Sequence, residues 1–108
     1  MKHRATEVLR AFARSDVKEI ARLCADDLLL WGTDEGEEWE GRASVLEAFA
    51  GAYDLTVRWV GEPRVEADWV AGQVEFGSAD GDLARARVTM AFRDGALVHA
   101  HYSVAAAV

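Results

Sequence analysis

A single cysteine, a single proline, two lysines and no long apolar run mark these 108 residues, and each shortage excludes something. Cys24 cannot form an internal disulfide, which fits a reducing cytoplasm. It lies on a helical apolar stripe with nothing basic beside it, so a buried, inert thiol is expected. Positive charge is also scarce: 12 lysines and arginines stand against 19 acids, for a net charge of −7. That balance argues against nucleic acid and anionic membranes as partners, because either would need a basic patch. No apolar run approaches the ~20 residues of a membrane span. The start, MKHRATEVLRAF, has basic residues but no apolar signal core or cleavage site, so a cytoplasmic protein is expected. Ten arginines to two lysines suggest a GC-rich bacterial source. Repeats, linkers and low-complexity tracts are missing too, apart from the alanine-rich end Ala105–Val108, so the chain reads as one domain, residues 1–108.

What is present is periodicity. Val8, Leu9 and Phe12 make a helical stripe within a helix from about Ala5 to Arg14. Asp16 can cap a second helix, with Glu19 as the return arm of a capping box, and this helix is expected to bury Val17, Ile20, Leu23 and Cys24. Asp26-Asp27 end it and lead to a short apolar strand, Leu28 to Trp31. Gly32 to Gly41, rich in glycine and acid, reads as a loop. A third helix follows from Arg42 to about Tyr53, with Val45, Leu46, Phe49 and Tyr53 inward. Four strands complete the chain: about Leu55–Glu66, Trp69–Ser78, Asp82–Arg93 and Ala96–Val104. Pro63 removes a ladder donor from the first of these, predicting a bulge or an edge stretch. The order α-α-β-α-β-β-β-β, with helices gathered on one face of an antiparallel sheet, predicts an α+β domain.

The last two hairpins can be sorted face by face. Ala79-Asp80-Gly81 as a three-residue loop sets Glu75 against Arg85 and Gln73 against Arg87. For Arg93-Asp94-Gly95 two loop lengths compete. A two-residue loop would set Arg93 against Ala96 and Met90 opposite His99. A three-residue loop pairs Val88 with Ala100 and Ala86 with Tyr102, and sorts one apolar face from one polar face, which favours it. The polar face then carries Gln73, Glu75, Arg85, Arg87, His99, His101 and Ser103. The apolar face runs through Val70, Gly72, Val74, Phe76, Ala84, Ala86, Val88, Met90, Phe92, Val98, Ala100 and Val104, with Tyr102 as its one polar tip.

Three patterns carry a resemblance: Ser15-Asp16-Val17; Trp31-Gly32-Thr33-Asp34 through Gly41-Arg42; and Asp94-Gly95 through Val98-His99-Ala100-His101-Tyr102-Ser103. Together with the element order, they resemble the SnoaL-like branch of the nuclear transport factor 2-like superfamily. The closing strand is similar to that of the association domain of calmodulin-dependent protein kinase. The resemblance implies a cone-shaped, curved antiparallel sheet wrapped around three helices, with a pocket on its concave face and a dimer contact on the convex one. Its members include ketosteroid isomerases, polyketide cyclases, epoxide hydrolases, nuclear transport proteins and association modules, so fold alone does not settle function. Aligned on Cys24 through Gly41, the catalytic aspartate of the isomerase falls on Gly32, which cannot act as a base. Isomerase-type acid–base catalysis is therefore disfavoured. Asp34 lies in an exposed acidic loop and is expected to be solvated and poorly placed.

The expected ligand-binding wall is Trp31, Val88, Met90, Ala100 and Tyr102, suited to a small hydrophobic or cyclic metabolite, with the small residues of the row Gly72–Val88–Ala100 leaving room. Any further polar group would come from Arg42 or Tyr53. The alternative is a filled cone serving only as a dimerisation module. Gln73, Glu75, Arg85, Arg87, His99 and His101 form the expected homodimer interface. His99 and His101 share a face, but zinc needs three or four ligands, and the neighbouring Arg87 repels a cation. The carboxylates of residues 34 to 40 match no calcium loop. No metal and no cofactor are expected.

Overall fold

The computed structural model describes residues 1–32 and 36–104. Helix α1 spans Lys2–Ala13 and α2 Val17–Leu23; strand β1 is Cys24–Trp31, β2 Glu38–Glu40, and α3 Arg42–Phe49. Strands β3 (Thr56–Glu66), β4 (Trp69–Gly77), β5 (Leu83–Arg93) and β6 (Ala96–Val104) follow. All six strands form one sheet in the order β2-β1-β6-β5-β4-β3. The helices pack on its inner face, giving the expected α+β architecture. Among the described residues, no helix is long and apolar enough to cross a membrane.

Apolar spacing explains α1: Ala5, Val8, Leu9 and Phe12 are buried at one-turn intervals. Asp16 caps α2 by accepting the Glu19 backbone N–H at 3.3 Å. The reciprocal arm of the capping box does not form. The Glu19 carboxylate instead accepts from Arg22 Nη2 at 2.7 Å, a charged partner one turn away. Val17 is 38% exposed rather than buried. Cys24 is buried as expected, but in β1, because the helix stops before the two aspartates are reached.

Edge strand β3 breaks register with β4 between Val60 and Arg64, as Pro63 predicts. The β4–β5 pairing also falls as read, with Glu75 opposite Arg85 and Gln73 opposite Arg87. The final hairpin does not. Asp94 (φ 53°) and Gly95 (φ 81°) both take left-handed backbone, so the loop is the two-residue one and Arg93 faces Ala96. The extra residue lies further along β6, where Val98 bulges between the Phe92–Leu97 and Ala91–His99 pairs. Val88 therefore pairs with Tyr102 rather than Ala100, and Ala86 with Val104 rather than Tyr102. From His99 onward the displacement is two residues, which leaves the faces there unchanged. Ala100 and Tyr102 still point inward and His99 and His101 outward, but Leu97 replaces Val98 in the core.

Parallel pairing of β1 with β6 sets Leu30 beside Ala100 and Trp31 beside His101. Leu28 and Leu30 are buried and so occupy the inner face, and Trp31 must take the outer one.

Candidate functional site

At one end the cone is full. Val70, Val74, Val88, Met90 and Ala100 are buried against the helices. Above Gly72, where room for a ligand was expected, the Trp59 ring and Pro63 fill the space: a Cβ on Gly72 would lie 3.0 Å from Trp59 and 3.2 Å from Pro63. Trp59 is held there by its indole N–H donating to Thr6 Oγ1 at 2.9 Å.

At the other end lies a cavity of about 350 Å³. The sheet contributes Phe76, Ala84, Ala86, Tyr102 and Val104; the helix side contributes Phe12, Ala13, Phe49, Tyr53 and Leu55. Its third wall is Leu30, Gly32, Glu37 and Trp39. Alanines 84 and 86 make the room, since a small inward side chain on adjacent rows leaves the sheet surface bare. Phe12 and Phe49 meet edge-to-face at 5.0 Å, with Trp39 and Tyr53 each 5.8 Å from Phe49. Phe76 and Tyr102, 6.4 Å apart, form the aromatic part of the sheet wall.

The residue just before strand β2 supplies the group that the sequence did not reveal. Leu30 pairs with Trp39 and Trp31 with Glu38, so Trp39 shares Leu30's inner face and Glu38 points out. Alternation returns Glu37 to the inside. The Gly32 N–H donates to the Glu37 carbonyl at 2.6 Å, and the Glu37 carboxylate folds over the glycine. A Cβ on residue 32 would lie 2.6 Å from Glu37 Oε2, so Glu37 occupies the volume that a side chain on residue 32 would take.

Of the five residues expected to line a pocket, the structure brings only Tyr102 to the cavity. Val88, Met90 and Ala100 belong to the filled core, and Trp31 lies outside. Four consecutive apolar residues, Leu28 to Trp31, gave no polar marker for assigning faces. Arg42 also points elsewhere: Nη1 donates to the carbonyls of Ala21 and Cys24, closing the end of α2, and Nη2 pairs with Asp26. Tyr53 does reach the cavity, half exposed at its mouth. Asp34, weighed as a candidate acid, lies outside the described residues, as do Thr33, Glu35 and residues 105–108.

Burial dominates the electrostatics inside. The Tyr102 hydroxyl is buried without a hydrogen-bond partner among the described residues. Burial, and then the nearby Cys24 sulfur, push its pKa well above that of an ordinary phenol. The Cys24 thiol is pushed up to about 12 by burial, against the opposing charge of Arg42, and so stays protonated and unreactive.

On the outer face, Glu75 accepts from Arg85 Nε at 3.1 Å and from Arg58 Nε at 3.0 Å. The Arg85 bond first and the Arg58 bond next hold its carboxyl below the usual range, against partial desolvation. Gln73 and Arg87 sit side by side, with Ser103 opposite Arg87 in place of His101. His99 and His101 each lie 5.5 Å from the Trp31 ring, and His99 lies 6.5 Å from Trp69. Burial, then the charge of His101, lowers the pKa of His99.

Comparisons with known proteins agree with this geometry. A provisionally assigned ketosteroid isomerase from Kribbella flavida superposes with a TM-score of 0.80 at 19% identity, covering 98% of this chain and 78% of that one. A hypothetical protein with a ketosteroid isomerase-like fold from Catenulispora acidiphila, in complex with trimethylamine, gives 0.78 at 13% identity, covering 94% and 85%. A de novo designed protein with a curved β-sheet gives 0.68 at 17% identity, covering 97% and 88%. At these identities the likeness is one of fold. No curated protein sequence matches the chain. The sequence profile of the SnoaL-like domain matches residues 5–100, and the chain belongs to that family.

Proposed function

We propose that this SnoaL-like domain binds a small hydrophobic or cyclic metabolite at the open end of its cone. The observation that carries the reading is the cavity of about 350 Å³, walled by six aromatic residues and floored by alanine. Ligand sites have this composition: an apolar concavity with few polar groups to fix orientation. Isomerase-type chemistry through residue 32 is not part of the proposal, because glycine offers no base.

A thermal-shift screen of ring compounds, neutral and charged, tests the reading, with Ala86→Leu as the filled-cavity control. Hits should raise the melting temperature of the wild type and lose their effect in the variant. Hits that survive Ala86→Leu, or a screen with none, would remove it.

We propose in addition that the protein works in the cytoplasm as a homodimer joined through its outer face. Trp31 (40% exposed) and Trp69 (50% exposed) flank His99 and His101 there, beside Gln73, Arg87 and the Arg58–Glu75–Arg85 group. Exposed tryptophans at the centre of a polar rim are what a self-complementary interface needs. Sedimentation velocity on the same samples reads this directly: dimer in the wild type and monomer in Trp31→Ala support it, and a monomeric wild type refutes it.

A further inference from the structure

The cavity brings together two kinds of group, several aromatic rings and one carboxylate. We propose that its ligand is an organic cation: an amine or quaternary ammonium carried on an apolar body. The inference rests on the reading of the cavity as a ligand site and adds the charge of the occupant. Aromatic faces carry negative electrostatic potential, and they attract a weakly hydrated ammonium most strongly where water is excluded. Trp39, the best ring for this purpose, stands beside Phe49, and Tyr53 extends the group to the mouth. Phe76 and Tyr102 supply the sheet wall.

Glu37 gives the cavity its sign. Its carboxylate is folded inward over Gly32 rather than out into solvent with its neighbours Glu38 and Glu40, which are both exposed. Gly32 makes that placement possible, since any side chain there would expel it. One cation also borders the cavity, Arg85, but its guanidinium donates to Glu75 on the outer face. The Arg85 guanidinium is thus directed away from the cavity, and the Glu37 carboxylate toward it.

Two probes of matched shape separate charge from apolar fit: benzyltrimethylammonium, and 2,2-dimethylpropylbenzene, in which carbon replaces nitrogen. In calorimetric titrations of the full chain, the cation should bind about tenfold or more tighter than its neutral twin. Glu37→Gln, a nearly isosteric change, should remove most of that preference while leaving the neutral probe's affinity alone. Trp39→Leu should weaken the cation more than the neutral probe. Equal affinities in the wild type, or a preference that survives Glu37→Gln, would overturn the proposal while leaving the cavity a site for neutral ligands. If neither probe bound, the ligand-site reading would fall with it. The wild-type comparison needs no variant to fold.

Discussion

One sheet face ends in two different ways. At its β3–α1 end, Trp59 and Pro63 close over Gly72, and Val88, Met90 and Ala100 are sealed beneath the helices. At its β2–α3 end the same inward alternation presents Ala84, which is exposed, and Ala86, which is largely buried, and both border the cavity. The difference is not in the sheet, which offers small residues at both ends. It lies in what each end receives from elsewhere: a tryptophan hydrogen-bonded to a helix threonine in one case, a rim of rings standing apart in the other. A small side chain in a sheet thus marks either a cavity or a place where a large neighbour fits.

Four substitutions can break or sharpen this contrast. Met90→Ala, at the filled end, should be the most costly, at about 2–5 kcal/mol, because the sealed core collapses only partly around the void. Denaturant unfolding measures it, and a loss under about 1 kcal/mol would mean that this end is looser than described. Next comes a matched pair that adds methyl groups at each end. Gly72→Ala should cost on the order of 1 kcal/mol by pressing on Trp59 and Pro63, while Ala86→Val should cost nothing or stabilise slightly. If the two shift the melting temperature equally, the distinction between the ends fails. Last comes Tyr102→Phe, which removes a buried hydroxyl lacking a partner among the described residues. Stability should rise by up to about 1 kcal/mol, and a fall would show that the hydroxyl is satisfied in solution.

Much of this was legible in the sequence, down to the ends of β3–β6. Strict alternation and the Gly81 turn set the β4–β5 register, and Pro63 announced the break in β3. The final hairpin shows where such reading stops. Asp94-Gly95 and the polar–apolar alternation were both visible, and they conflict unless an extra residue is placed somewhere. The alternation located it in the turn; the backbone put it at Val98. From His99 onward the faces survived the error because two residues is a full period, while before the bulge Leu97 turned inward in place of Val98.

The site was less legible. Trp31 was misplaced because Leu28 to Trp31 are uniformly apolar and carry no sign of which face is which. Strand β2 has three residues and one apolar side chain, too few to show a period. Trp39 was hidden within it and Glu37 just before it, although the alternation of Glu37-Glu38-Trp39-Glu40 was the signal available. Gly32 could be read as a missing base, but that another carboxylate fills its space is a fact of three dimensions.

The parallel pairing of β1 with β6 has a consequence for the order of assembly. Strands β3, β4 and β5 are joined to their neighbours by short turns and can zip locally, whereas Leu30 must wait for Ala100. Everything that hangs on β1 waits with it, including Gly32 and the β2 wall with Trp39 and Glu37. During synthesis, the filled end of the cone can therefore begin to organise while the chain is still emerging. The cavity is completed only when the last strand has left the ribosome and closed the loop to the first.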